Sequence, residues 1–284
     1  MNKFEDSFKD INEENIYYQY WLPDTEIKSV ILIIHGLAEH SGRYMNIVNR
    51  FVPLGVAIYA LDHIGHGKSD GLRGYVNRFS DYTSTIKVYL DMIVKRQKGK
   101  PMFILGHSMG GLISLSFLLS YNYAINGLIL SSPSIKAPKK IPSMIIFVGK
   151  ILSKIMPRFR LIKLTSGNIS YDEGVADNYN KDPLVYRGKT TARLAFEIHE
   201  TIEYVINKAG NIMLPLIIFQ AGNDELVHPD GAKILLNKVN SHDKSLIIYD
   251  EMCHEVFNEK VYGKVLDDLQ IWLSKCGHNI ILKE

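Results

Sequence analysis

The sequence predicts an α/β fold in which a mostly parallel central sheet is flanked by helices. Short continuous runs of Ile, Leu and Val recur along the 284 residues, each followed by a Gly, Pro or polar break and then a longer helical pattern. A strand that is apolar without alternation is buried on both faces, the condition of a parallel sheet covered by helices. Regular alternation of strand and helix leads to the same layering. The composition, 46% hydrophobic and 22% charged with no low-complexity tract, is that of a globular chain and excludes disordered, collagen-like and coiled-coil classes.

Asn15–Leu22 alternates and reads as an early, partly exposed strand. Val30–Ile34 is Ile-rich and ends in His35-Gly36, and Val56–Leu61 ends in Asp62. Met102–Leu105 runs into the glycine-flanked turn Gly106–Gly110 and the helical run Gly111–Leu119. Leu128–Leu130 ends in Ser131-Ser132-Pro133, Leu216–Phe219 in Gly222-Asn223-Asp224, and Leu246–Tyr249 in Asp250. Ligands of such sheets bind beyond the carboxyl ends of the strands, and the polar motifs fall there, one strand after another.

From Ile135 to about Tyr179 this rhythm stops. Between Ile135 and Lys163 stand eight Lys or Arg (136, 139, 140, 150, 154, 158, 160, 163) and no Asp or Glu. Ile141, Ile145, Val148, Leu152, Ile155 and Phe159 recur at helical spacing. The segment reads either as a helix with a solvated basic face or as a cap helix that also meets an anionic lipid surface.

Several function classes are disfavoured. A net charge of +3 without a basic, aromatic-interleaved patch does not suggest nucleic acid as a partner. Two cysteines, Cys253 and Cys276, cannot form a disulfide framework, and a reduced, cytoplasmic setting is expected. Met1–Asn15 has no signal-peptide pattern, and no run of 18 apolar residues is present to cross a bilayer.

The turn Gly106-His107-Ser108-Met109-Gly110 has the Gly-x-Ser-x-Gly pattern, between a strand and a helix, that exposes a strained nucleophilic serine. A serine hydroxyl needs a base. Where the chain order is Ser, acid, His, only His199, His228, His242, His254 and His278 follow Ser108. His199 falls in a helical pattern, His242 in a polar turn and His278 in the tail, whereas His254 follows the last strand in a loop able to reach the serine. His107 reads as packing. The acid is expected at a strand end between the two; Asp224 fits, with Glu225 and Asp250 as neighbouring alternatives. It would accept the imidazole N–H and hold the tautomer. Two backbone N–H groups, of Met109 and of Leu37 in the loop after the early strand, are the expected oxyanion donors. Cys253 adjoins His254; it reads first as a small buried Cys, and otherwise as a thiol at which a bulky reagent would displace the base.

The strings His35-Gly36-Leu37-Ala38-Glu39-His40-Ser41-Gly42-Arg43-Tyr44, Leu61–Gly71 and Gly106–Gly111 resemble the signature of the monoacylglycerol lipase (lysophospholipase-like) family. Asp182-Pro183-Leu184-Val185-Tyr186 and Gly222-Asn223-Asp224 with Gly231-Ala232 extend the resemblance, which runs from about Tyr18 to Trp272. It implies an α/β-hydrolase core in residues 1–134 and 212–284, with an inserted helical cap over 135–211. It also implies hydrolysis of monoglycerides to fatty acid and glycerol, without cofactor or metal, by Ser108, Asp224 and His254. Tyr179 matches a family tyrosine near the glycerol site. The chain departs from animal members in two places: Phe257 stands where they carry a second His, and Tyr186 where a Cys follows Asp-Pro-Leu-x. Both bear on acyl-chain and head-group choice. A lysophospholipase or broad carboxylesterase on the same triad is the alternative. A silent lipid-binding protein fits less well, because every triad position is filled.

Overall fold

The computed structural model describes residues 1–139, 141–163 and 169–276; Lys140 and His278 lie outside them. An eight-stranded sheet has the order β1-β2-β4-β3-β5-β6-β9-β10. Its strands are β1 (Asn2–Lys9), β2 (Asn15–Leu22), β3 (Ser29–Ile34), β4 (Val56–Leu61), β5 (Met102–His107), β6 (Gly127–Ser131), β9 (Leu216–Ala221) and β10 (Lys244–Tyr249). From β4 to β10 every pairing is parallel, while β1 and β2 form an antiparallel hairpin whose second strand runs antiparallel to β4.

Strand periodicity divides the core in two. Val30, Leu32 and Ile34 of β3 face one apolar layer with α2 (Phe79–Arg96) and α3 (Met109–Ser120); Ile31 and Ile33 face the other with α1 (Met45–Phe51) and α8 (Tyr262–Lys275). Side chains alternate across a strand, so covering both faces requires the uninterrupted apolar runs seen in the sequence. Helix α7 (Asp230–Lys238) connects β9 to β10.

Three features depart from the sequence reading. The polar stretch at the start of the chain forms β1, with Phe4 opposite Tyr20 and their rings stacked at 4.9 Å. Its residues are almost all exposed, so burial leaves no periodic mark; register and cross-strand aromatic pairing hold it. The insert between β6 and β9 is also not wholly helical. Besides α4 (Ser143–Ile155), α5 (Glu173–Lys181) and α6 (Ala192–Lys208), it holds a small antiparallel pair, β7 (Arg160–Lys163) with β8 (Lys189–Thr191). Strands of three and four residues are too short for a pattern to declare them. Helix α4 is also shorter than the apolar spacing suggests, leaving Ile141 and Phe159 outside it.

The junction of β5 and α3 is tightly packed. A Cβ on Gly110 would overlap the carbonyl oxygen of Ile34 at the end of β3. Gly110→Ala should therefore destabilise the protein by about 3 kcal/mol or more, at or beyond the usual range for overpacking, as a loss of urea midpoint; an unchanged midpoint would show that β3 and α3 can separate without cost.

Candidate active site

Ser108 sits between the end of β5 and the first residue of α3 with φ 53° and ψ −119°. A positive φ in a non-glycine residue stores about 1–3 kcal/mol and persists only where packing over-determines it. Here the surroundings do so: Ser108 N–H donates to Ser131 O (2.9 Å), and Ser108 O accepts from Gly111 and Ser134 N–H, each at 3.0 Å. The hydroxyl is left facing a cavity, with Ser134 Oγ as its hydrogen-bond partner at 3.3 Å.

The other residues singled out in the sequence converge on the same place from the ends of different strands. His254, five residues beyond β10, has its Nδ1 2.7 Å from Asp224 Oδ2, and Asp224 lies three residues beyond β9. The second oxygen, Oδ1, accepts N–H bonds from Leu226 (2.9 Å) and Val227 (3.0 Å). Burial alone would raise the Asp224 pKa, but the His254 bond and the two backbone donors outweigh it and hold the carboxyl below its ordinary value. Glu225 and Asp250, the alternatives for this position, are both exposed. Asp224 fixes His254 Nδ1 as the protonated nitrogen, leaving Nε2 free to accept a proton.

Leu37 follows β3 by three residues and Met109 opens α3; both line the cavity with Ser108 and His254. Neither Leu37 N–H nor Met109 N–H has an acceptor among the described residues. Gly36 is as close as its lack of a side chain allows: a Cβ there would lie 3.2 Å from Ser108 Cβ. Tyr179, on α5, also lines the cavity, and its ring lies 4.6 Å beneath the Arg43 guanidinium. Burial pushes its hydroxyl up to about 12. The cavity, about 280 Å³, is mainly apolar, walled by Ile169, Ile198, Ile202, Leu226 and Val227, with Glu39, His107, Ser134, Lys136 and Glu255 also on its lining. A larger space of about 830 Å³ adjoins it and shares Leu37, Ala137, Pro138, Ile198 and Ile202.

His107 packs as the sequence suggests, but against His254 itself: the ring centroids are 4.7 Å apart, and its Nδ1 lies 3.0 Å from Ser131 Oγ. Burial, with His254 beside it, lowers its pKa and favours the neutral ring. Cys253 is buried, and loss of hydration together with nearby Glu259 pushes its thiol up to about 11. A thiol so little ionised resists alkylation. Phe257 turns to the core, edge-on to Phe219 at 5.6 Å.

Sequence reasoning assigned no role to a buried ionic network beneath the cavity. Glu39 Oε1 accepts from Gly36 N–H (2.6 Å) and from the Tyr44 hydroxyl (2.7 Å). Arg43 Nη1 reaches Glu39 Oε2 (3.2 Å), while its Nη1 and Nη2 grip Glu255 at 2.5 and 2.8 Å. The loop after β3 is thereby joined to the residue next to His254. The i, i+4 spacing of Glu39 and Arg43 was the available signal; Glu255, 212 residues from Arg43, gave none.

A strained serine at the end of β5, a histidine–carboxylate pair beyond β9 and β10, and free N–H groups after β3 and at the start of α3 together define an α/β-hydrolase. The family model described as serine aminopeptidase S33 matches residues 25–261, a span that holds all of these groups. The chain is 32% identical to a monoacylglycerol lipase of Mycolicibacterium smegmatis over 95% of its own length and 96% of that protein. It is 31% identical to the phospholipase YtpA of Bacillus subtilis over 84% and 92%. Among solved structures, Paleococcus ferrophilus monoacylglycerol lipase superposes with a TM-score of 0.78 at 26% identity, covering 98% of this chain and 100% of that one. The chain belongs to the monoacylglycerol lipase family.

Glu255, like Asp224, is held below its ordinary pKa; burial opposes this, and the charge and hydrogen bonds of Arg43 prevail. A carboxylate depressed in the native state contributes stability that is present above its unfolded pKa, about 4, and lost as pH falls toward the native value. Stability to urea should therefore stay level from neutral pH to about pH 5 and decline below about pH 4. Glu255→Gln should cost about 3–5 kcal/mol at neutral pH, because it leaves Arg43 buried and short of charge, and should flatten the acid decline. An unchanged acid slope would remove Glu255 from the groups responsible.

Proposed function

We propose that the protein hydrolyses monoacylglycerols to fatty acid and glycerol through an acyl-Ser108 intermediate. The observation that carries this reading is the 2.7 Å His254–Asp224 pair, whose histidine opens onto the same apolar cavity as the strained Ser108. His254 Nε2 takes the Ser108 proton as Oγ turns from Ser134 and attacks the ester carbon. The tetrahedral oxygen, now negative, is received by Leu37 and Met109 N–H. Collapse expels the glycerol oxygen, which takes the proton back from His254. Water repeats the sequence on the acyl-enzyme, releases the fatty acid and restores Ser108.

Residues 135–211 act as a cap on a core of 1–134 and 212–284; Ile169, Ile198 and Ile202 from this segment wall the acyl side of the cavity. Tyr179 lies on the glycerol side. The outer face of α4 supports peripheral contact with a lipid surface. Met144, Ile145, Phe147, Val148, Ile151 and Ile155 are exposed there, Ile155 to 74%, beside exposed Lys150, Lys154 and Arg158. An apolar helix face rimmed by cations suits an anionic membrane interface. No helix among the described residues is long and apolar enough to cross a membrane. The likeness to a phospholipase of Bacillus subtilis favours a second reading, a lysophospholipid substrate on the same triad.

Ser108→Ala should lower kcat by about 10⁶, since triad members act as a unit, and Asp224→Asn by about 10⁴ through loss of the histidine tautomer; near-normal turnover of monoolein by Ser108→Ala would overturn the assignment. Against lysophosphatidylcholine, monoolein should show the higher kcat/KM; a tenfold preference for the lysolipid would transfer the same chemistry to the second reading. Sedimentation with anionic vesicles should exceed that with neutral ones and fall with added salt. Equal binding to both would leave α4 without its membrane role.

A further inference from the structure

Beneath the proposed oxyanion hole lies a cluster of three buried histidines that the mechanism does not use. His35 is fully buried, with its ring 4.2 Å from that of His63 and 5.3 Å from that of His66. The backbone N–H of His63 donates to His35 Nε2 at 3.0 Å, so that nitrogen is an acceptor and carries no proton. The proton therefore sits on Nδ1, 2.8 Å from the carbonyl oxygen of Gly36. Burial first, then the neighbouring His63 and His66, hold the His35 pKa well below its ordinary value, so this neutral tautomer is the one present.

In a planar trans peptide the C=O of one residue and the N–H of the next point in opposite directions. The C=O of Gly36 and the N–H of Leu37 belong to one such plane. Holding the carbonyl down toward His35 turns the Leu37 N–H up toward Ser108. The plane before it is also pinned, because Gly36 N–H donates to Glu39 Oε1 at 2.6 Å. With no side chain at Gly36 to resist rotation, both anchors are needed. Leu37 itself supplies only the donor.

We infer that His35 is a positioning residue, whose Nδ1–H sets the Gly36–Leu37 peptide so that the Leu37 N–H faces the developing oxyanion. The inference rests on the proposed role of Ser108, and the test keeps the two apart. His35→Leu retains apolar volume but loses the donor; His35→Asn loses volume but places an amide N–H near Nδ1. A role in packing alone predicts that Leu is the better replacement; a role in orienting the peptide predicts Asn.

Measured on the full chain with a monoglyceride, His35→Leu should lower kcat about 10- to 100-fold, below the 10²–10³ of an oxyanion donor lost outright, with KM within about twofold. Its affinity for an alkylboronic acid, which forms a tetrahedral anionic adduct on the serine, should fall in the same proportion. Binding of a non-hydrolysable monoalkyl glycerol ether should hold. His35→Asn should recover most of the loss, whatever its melting temperature. If Leu is not tolerated in folding, His35→Gln, whose amide reaches toward Nε2 and not Nδ1, gives the same comparison with Asn. A kcat for His35→Leu equal to or above that of His35→Asn, or a loss confined to KM, would overturn the inference. Activity surviving in Ser108→Ala would instead overturn the proposed function, whatever the His35 variants do.

Discussion

The close contact between the first turn of α3 and the end of β3 governs the rest of this structure. Gly110 presses its backbone on Ile34, so β5 must reach the helix through a turn of one strained residue, Ser108. In the sheet β5 lies between β3 and β6. The loop that follows β3 and the loop that follows β6 are therefore carried to the serine, one bringing Leu37 and the other Ser134. Strain at one residue is the local cost of bringing three strand ends together, and it is offset by packing that a larger residue at position 110 would not allow.

Buried charge performs the second half of the assembly. The loop after β10, which carries His254, has no covalent reason to keep its place near the loop after β3. Arg43 joins them, held between Glu39 and Glu255 and covered by the Tyr179 ring. The insert leans on the same loop through two further bonds: His40 Nε2 to Asp182 Oδ2 at 2.8 Å, and Tyr186 N–H to Ala38 O at 2.8 Å. Ala38 meets the latter in a left-handed conformation, φ 71°. The insert is thus hydrogen-bonded to the segment that presents Leu37, so its position and the geometry of the proposed oxyanion hole depend on one another.

Strands β3 to β6 and β9 were legible because burial on both faces leaves continuous apolar runs, half-buried β10 by its Leu246-Ile247-Ile248 run, and their ends because polar motifs follow them. Strand β1 was not, since its residues are exposed and an edge strand needs no apolar pattern. The β7–β8 pair was not, since four residues cannot show a period. At the site, Ser108, Asp224, His254, Leu37 and Met109 stood out by residue type and by place at a strand end. Glu39, Arg43 and Glu255 did not, because their significance lies in a contact across 212 residues of chain. The basic segment around α4 shows the same limit. Its charge was plain in sequence, whereas the outward turn of its apolar residues required the helix to be docked on α6 through its other face.

The sequence by itself determined the layers of the sheet and the identities of the groups at its strand ends, since local period and residue type are enough for both. Only the tertiary structure decided which nitrogen of His254 and of His35 carries its proton, which carboxylate faces His254, and which way the Gly36–Leu37 peptide turns. Those outcomes depend on hydrogen-bond partners distant in the chain: Asp224 for His254, and His63 for His35. Direction at an atom is a property of the neighbours that folding supplies.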